Sequence, residues 1–262
     1  MNTCDKGVDA RQSKADAIFV SDVHLSAAHP ATVDAFLDFL AREVAGRTKR
    51  LFILGDLFEY WAGDDDLDAP FNRRIVDALY ALADDGIELA FMAGNRDFLI
   101  GEEFAKAARI ALLPDPYRLE IGGASLMLSH GDALCTDDID YQRFRKLVRE
   151  PAWQQAFLAR PLAERRAIIG DMRMKSEAAK RDKTSDIMDV NADAVARLFK
   201  DHGQTSLVHG HTHRPAHHVL DVGSEECERW VLPDWDAEAQ PARGGALVLE
   251  NGELRVLDMM GA

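Results

Sequence analysis

Five short apolar, β-branched or aromatic runs, at residues 17–20, 51–54, 89–92, 125–128 and 205–208, each give way at once to a polar block. The blocks are Asp22-Val23-His24, Gly55-Asp56, Gly94-Asn95, His130-Gly131 and His209-Gly210-His211. Apolar runs this short have the length of buried strands, not of helices. Helical spacing fills the first gaps: Val33, Phe36, Leu37, Leu40 and Val44 follow Pro30, and apolar residues recur at helical intervals from Phe71 to Leu82. The alternation predicts an α/β fold with the polar blocks at the carboxyl ends of its strands, where such folds gather ligands.

The rhythm changes twice. Residues 138–200 show helical periodicity alone, through Phe144, Leu147 and Val148, then Trp153 and Phe157, then Ile168, Ile169 and Met172. This predicts a helical insertion, or cap, over the site. Asn191 can cap a last helix there, running through Ala192, Val195 and Phe199 and stopping at Gly203. After His209 come hairpin-like pieces at 219–222, 229–232, 246–249 and 254–257, with Asn251-Gly252 as one turn, which predict a second, more antiparallel sheet. The expected division is an extension at 1–16, a core at 17–137, the cap at 138–200 and the rest of the core at 201–262.

Composition narrows the class. With 262 residues, 47% of them hydrophobic, the chain can bury a full core. It has no run of 18 apolar residues, and its first sixteen residues lack the apolar stretch of a signal peptide, so a cytoplasmic location is expected. Cys4, Cys135 and Cys227 are too few and too scattered for a disulfide framework or a zinc knuckle, and read as ordinary thiols. The net charge of −14 argues against general affinity for nucleic acid. Residues 141–183 depart from it, with twelve Lys and Arg against five Asp and Glu, so that segment is expected to face something anionic.

Taken singly, the polar blocks are ordinary: Gly-Asp and Gly-Asn make turns, and a histidine near a strand end is commonly a hydrogen-bonded core residue. His209-Gly210-His211 says more, because two imidazoles around a glycine can converge while the backbone approaches closely. All five blocks in order at strand ends are hard to obtain from packing alone. Asp22, His24, Asp56, Asn95, His130, His209 and His211 supply carboxylates, imidazoles and an amide oxygen, enough for two neighbouring divalent cations that share a carboxylate. A donor set without thiolate suits Mn²⁺, Fe²⁺ or Zn²⁺, and the chemistry it points to is metal-dependent hydrolysis.

The order and wording of these blocks resemble the calcineurin-like metallophosphoesterase superfamily. The longer strings SDVHLS, LGDLFEYWAGD, GNRDFLIG, LSHGDALCTDDIDYQRFR, IMDVN and VHGHTHRP resemble the branch that acts on UDP-2,3-diacylglucosamine in lipid A biosynthesis. The likeness runs from about residue 17 to about residue 220 and includes the insertion. It implies a sandwich of two β-sheets flanked by helices. One metal would be held by Asp22, His24, Asp56 and His211, and a second by Asp56, Asn95, His130 and His209, with Mn²⁺ as the metal and Asp56 as the bridge. Activated water would attack the α-phosphorus, giving UMP and 2,3-diacylglucosamine 1-phosphate.

Most of the superfamily has histidine where this chain has Arg96; the branch has arginine, which would bind phosphate and offset transition-state charge. Substrate positions implied by the branch are Asn95, Arg96, Asp138, Ser176, Lys180, Lys183 and His209. His213 and Arg214 read as supporting groups, and His217 and His218 as exposed or packed. Phe144, Trp153, Phe157, Ile169 and Met172 could line a slot for acyl chains, although for most of them packing of the inserted helices is the expected role. A lipid substrate further implies reversible contact with the cytoplasmic face of the inner membrane, with no obligate protein partner. Two other readings stay open: a phosphoesterase for a soluble nucleotide, dinucleotide or phosphoprotein, and a non-catalytic binding scaffold on the same fold.

Overall fold

In β1 (Ala17–Val20), β2 (Arg50–Leu54) and β3 (Glu88–Met92) every second side chain points the same way, and both faces are buried. Ala17, Phe19, Phe52, Leu54, Ala90 and Met92 meet a second sheet, while Ile18, Val20, Leu51, Ile53, Leu89 and Phe91 meet helices. The computed structural model describes residues 14–181 and 189–260, and of residues 175–181 the backbone alone. The three strands pair in parallel, with β4 (Ile110–Leu113) beyond β3. On the other side β10 (Gly245–Glu250) pairs antiparallel with β1 and carries β11 (Glu253–Asp258), so the order is β11-β10-β1-β2-β3-β4.

The second sheet, β5-β6-β7-β9-β8, comprises β5 (Tyr117–Ile121), β6 (Ala124–Ser129), β7 (Ser206–His209), β8 (Ala216–Val222) and β9 (Glu225–Val231). Its inner residues, among them Leu119, Leu126, Leu128, Val208 and Leu232, close the core against the first sheet. The sandwich expected from sequence is present. The strands after His209 are redistributed, however: β8 and β9 enter the second sheet, while β10 and β11 enter the first. The cause is burial on both faces of β10, where Leu247 and Leu249 face the other sheet and Ala246 and Val248 face the helices. A strand apolar on both sides belongs between two covered layers. The second sheet is also mixed, because β7 is parallel to both β6 and β9. Asn251 and Gly252 make the β10–β11 turn with φ of 54° and 84°, as the Asn-Gly pair predicts.

Helices α1 (Pro30–Phe39), α2 (Pro70–Asp84) and α3 (Glu102–Ala108) cover the first sheet. Of the stretch 138–200, α4 (Ile139–Val148), α5 (Pro151–Leu158) and α6 (Leu162–Arg181) form the cap. The last helix, α7 (Ala192–His202), is instead an outer layer of the sandwich: Val195 and Phe199 pack with Met127, Leu207 and Cys227 of the second sheet. Asn191 caps it by accepting from the Ala194 N–H, and Gly203 ends it in the left-handed conformation.

Much of the anionic surface that the basic segment faces is the protein's own. Asp64 accepts from the Trp61 indole and from the N–H groups of Gly101, Glu103 and Phe104 at the start of α3. Asp65 pairs with Arg165 and Asp66 with Arg166, both on α6. The Arg165 side chain is only 1% exposed and also donates to the carbonyls of Ala62 and Arg160. Arg145 of α4 donates to the buried Asp132 at 2.8 Å, and Arg149 to the Gly94 carbonyl at 2.8 Å. Asp65 and Asp66 are thus the dock of the cap.

Candidate metal centre

The ligand blocks leave their strands through strained backbone. Among described residues other than glycine, seven have positive φ, and Asp22, His24, Asp56, His211 and His213 are five of them, at 52–69°. Such conformations cost roughly 1–2 kcal/mol each and persist where surrounding bonds over-determine them. Here the Asp22 and His24 N–H groups donate to the carbonyls of Gly55 and Asp56, and the Trp235 N–H donates to the Asp22 carbonyl. Asp97, fully buried, accepts from the N–H groups of Leu57 and Gly94 at 2.8 Å each, tying the ends of β2 and β3 together. Glycine is required where blocks meet: a Cβ at Gly94 would strike the Asp56 carboxylate, and one at Gly210 would strike that of Asp22.

These bonds bring the side chains to one point. The His24 Nε2 atom lies 3.9 Å from Asp22 Oδ1 and 3.8 Å from Asp56 Oδ2, while His130 Nε2 lies 3.7 Å from Asp56 Oδ1. Asn95 Oδ1 sits 3.1 Å from His130 Nε2 and 2.8 Å from His211 Nδ1. Asp56 therefore faces a histidine with each of its oxygens, an arrangement open to a carboxylate shared by two ions. Two overlapping groups converge closely enough to hold an ion, Asp22 with His24 and His213, and Asp22 with Asp56 and His130. The Asp22 Oδ1 atom is buried and accepts no hydrogen bond, with imidazole nitrogens 3.4 and 3.9 Å away. A buried anionic oxygen facing imidazole nitrogens is a fit for a cation, and the oxygen and nitrogen donors match the hard-to-borderline divalent metals.

His209 stands apart from this convergence. Its ring is buried, Nδ1 donating to the Gly210 carbonyl at 2.8 Å and Nε2 accepting from Arg229 at 3.2 Å. The Arg96 backbone N–H donates to Asp56 Oδ1 at 2.8 Å, and its guanidinium lies 3.6 Å from Glu59. Asp138 caps α4 by accepting from the Tyr141 N–H, and Arg214 pairs with Asp189. His217 stacks on Trp230 with ring centres 3.8 Å apart, a packing role. Lys183 lies outside the described residues, and Ser176 and Lys180 are described only as backbone of α6.

Sequence reasoning passed over several groups. Glu59 Oε2 lies 2.9 Å from His24 Nδ1, and Glu59 pairs with Arg173 of α6 at 2.5 Å, so it stands against one ligand and touches the cap. Asp132 accepts from the Tyr141 hydroxyl at 2.6 Å, and the Tyr141 ring stacks on His211. Glu59, Asp97 and Asp132 each stood within three residues of a proposed ligand, and an acidic residue so close to a metal block is the signal that could have found them.

The carboxylates dominate the field. Burial by itself would lower the His130 pKa, but Asp56, Asp132 and Asp22 outweigh it and raise the value to about 9. Burial, then the Arg229 charge, push His209 down to about 3; burial, then His130, push His211 to about 4. His209 and His211 are thus neutral at ordinary pH, the form that binds metals, whereas the carboxylates hold a proton on His130 that a bound cation would displace.

A cavity of about 600 Å³ opens on this cluster. Its far wall is the cap. Phe144, Trp153, Phe157, Ile169 and Met172 all line it, while Trp153, Phe157 and Ile169 also pack on the core, as expected of most of them. Trp153 and Phe157 stack at 4.8 Å with nearly parallel rings. Cys135 also lines the cavity, and burial, reinforced by Asp132, pushes its thiol up to about 12, so it is a poor nucleophile.

Comparison with known proteins identifies the family. The profile of the calcineurin-like phosphoesterases matches residues 17–215. A UDP-2,3-diacylglucosamine hydrolase of Aromatoleum aromaticum is 56% identical over 223 residues, 85% of this chain and 90% of that protein. Proteins of the same description from Chromobacterium violaceum and Bordetella pertussis are 48% and 45% identical, each over 92% of this chain and over 98% and 93% of their own lengths. With the profile covering most of its length and relatives this similar, the chain belongs to the calcineurin-like phosphoesterase family.

Proposed function

We propose that the protein hydrolyses the diphosphate of UDP-2,3-diacylglucosamine at the α-phosphorus, yielding UMP and 2,3-diacylglucosamine 1-phosphate for lipid A biosynthesis. The observation that carries the reading is the cavity: an acidic, histidine-rich floor and an apolar roof within one volume of about 600 Å³. A substrate with a diphosphate at one end and two acyl chains at the other needs both. A soluble nucleotide needs only the floor, and a binding scaffold has no chemical need for converging ligands. The relatives described as UDP-2,3-diacylglucosamine hydrolases support the same choice.

Asp22, His24, Asp56 and His213 would hold one divalent ion and Asp56, Asn95, His130 and His211 the other, His209 standing behind them against Arg229, with Mn²⁺ as the proposed metal. Two bound ions supply ionised water at neutral pH and polarise the phosphate oxygens. Arg96 binds and neutralises phosphate oxygens beside that pair. Glu59 stands against the His24 ring, and Asp97 holds the Asp56 and Asn95 loops at their spacing. Asp138, Ser176, Lys180 and Lys183 are proposed substrate contacts on or near the cap. Ile139, Phe144 and Leu147 of α4, Leu158 of α5 and Met174 of α6 are half of the ten exposed large apolar side chains among the described residues. Those on α4 share their helix with Arg143 and Lys146, which suits contact with an anionic inner-membrane surface, and no described helix is long and apolar enough to cross a membrane.

The test compares UDP-2,3-diacylglucosamine with UDP-N-acetylglucosamine under identical Mn²⁺ and detergent conditions. Each buried methylene contributes up to about 0.8 kcal/mol, so kcat/KM should fall by orders of magnitude without the chains. EDTA should abolish turnover and Mn²⁺ restore it. Equal rates on both substrates would remove the lipid assignment and leave the metal centre standing.

A further inference from the structure

We infer that a second, smaller cavity, which shares His24 and His213 with the large one, is the seat of the substrate's uridine, and that Asp236 and Arg243 read the edge of its uracil ring. The inference rests on the proposed substrate and gives a place to the half of it that the cap does not hold. The cavity measures about 180 Å³; besides His24 and His213 its lining includes His29, Thr32, Asp236 and Arg243, and no described residue of α4–α6. The two volumes thus have one pair of imidazoles as a common wall. Reaction geometry calls for such a second volume. Water attacking the α-phosphorus displaces the bridging oxygen, which departs on the phosphate of the lipid half, and the entering and leaving oxygens lie in line. The ribose ester oxygen lies across that line, so the nucleoside extends at a wide angle to the lipid half and away from its apolar roof.

The walls of this cavity are built in advance. The chain between β9 and β10 crosses from the second sheet to the first and is tied down on its way. The Trp235 N–H donates to the Asp22 carbonyl at 3.0 Å, Asp236 and Arg243 exchange backbone bonds of 2.8 and 2.9 Å, and the Ala237 N–H donates to the Thr32 hydroxyl at 2.9 Å. The Arg243 guanidinium is placed by two carboxylates, its Nε 3.1 Å from Asp234 Oδ2 and a terminal nitrogen 3.2 Å from Asp236 Oδ2. A carboxylate beside a guanidinium complements uracil, which presents one N–H between two carbonyls. His29, exposed at the rim, offers a ring face to the base. Fixed walls with donors and an acceptor already in place lower the cost of ordering a ligand.

The measurement is calorimetric titration of the Mn²⁺-loaded protein with UMP, CMP and inorganic phosphate. CMP has the size of UMP but presents an acceptor where uracil presents its N–H, so the parent should bind UMP more tightly by roughly tenfold. Arg243→Ala should weaken UMP by roughly tenfold and erase the preference, while inorganic phosphate, which touches the floor alone, keeps its parental affinity. Should Arg243→Ala fail to fold, Asp236→Asn decides alone: it keeps the shape of the side chain, and it too should erase the preference for UMP. Equal binding of UMP and CMP by the parent, or a parental preference in both variants, would overturn the inference and leave the hydrolysis of UDP-2,3-diacylglucosamine standing. Weakened inorganic phosphate in step with UMP would overturn it as well, since the two residues would then serve the metal centre. A parent that prefers UMP but leaves UDP-2,3-diacylglucosamine intact would overturn the proposed function alone.

Discussion

The floor of the cavity stands on loops that leave β1, β2, β3, β6 and β7, while its roof stands on α4–α6, and the two are held by different forces. On the floor, backbone hydrogen bonds and a buried carboxylate, Asp97, hold strained residues side by side. The roof rests on ion pairs to the acidic run and on apolar side chains that leave a cavity between them. Reaction chemistry needs fixed distances, so it sits where the scaffold is stiffest. Selection of a bulky substrate tolerates adjustment, so it sits on helices that were inserted and then docked. Glu59 joins the two regions, standing against His24 below and pairing with Arg173 above.

This contrast can be broken by substitutions on either side. The largest effect is expected at Asp56: Asp56→Ala should lose at least one ion and lower kcat by more than the roughly 10²–10³-fold typical of removing a single stabilising donor. Metal analysis together with turnover checks it, and a variant with two ions and a near-parental rate would show that the floor does not depend on a shared carboxylate. Arg96→Ala comes next, with kcat down roughly 10²–10³-fold and KM less affected, read from steady-state kinetics.

On the roof, Trp153→Ala should lower kcat/KM for the two-chain substrate roughly tenfold, through loss of apolar contact worth about 1.4 kcal/mol, and leave metal content untouched. An unchanged kcat/KM would mean that the chains do not reach this wall. The smallest effect on turnover is expected at the dock, where stability is the informative quantity. Asp65→Ala strands the buried Arg165 guanidinium and should cost about 2–3 kcal/mol, less than a fully buried pair because Asp65 is itself half-exposed. Arg165→Met leaves Asp65 in water and should cost about 1 kcal/mol. Denaturant titration of both variants measures the asymmetry, and equal costs would mean that Arg165 is less committed to the interior than its burial implies.

Legibility from sequence followed the same division. The floor was readable because each ligand comes directly after a short apolar run, so a local pattern already carried its place in the fold. The edge strands β4 and β5 and the short α3 were not anticipated. In β5, Arg118 and Glu120 alternate with Leu119 and Ile121, and one apolar face on five residues at an edge is a weak signal beside fully buried strands. The allotment of β10 to the first sheet was equally hidden, since pairing with β1 joins residues more than two hundred positions apart.

By itself, the sequence determined the alternation of strands and helices, the positions of the ligand blocks and the family, because each depends on local spacing or on strings of adjacent residues. Only the tertiary structure decided how the charges and the apolar cap residues are used. Twelve basic residues in a row of helices look like a surface for a foreign anion, until Asp65, Asp66 and Asp132 are seen to lie against several of them. Likewise Phe144, Trp153, Phe157, Ile169 and Met172 have the spacing of helix packing, and whether such side chains fill a core or line a cavity depends on what the opposing surface leaves empty. Pairing partners and voids are properties of two surfaces brought together in space, and periodicity along one chain records only one of them.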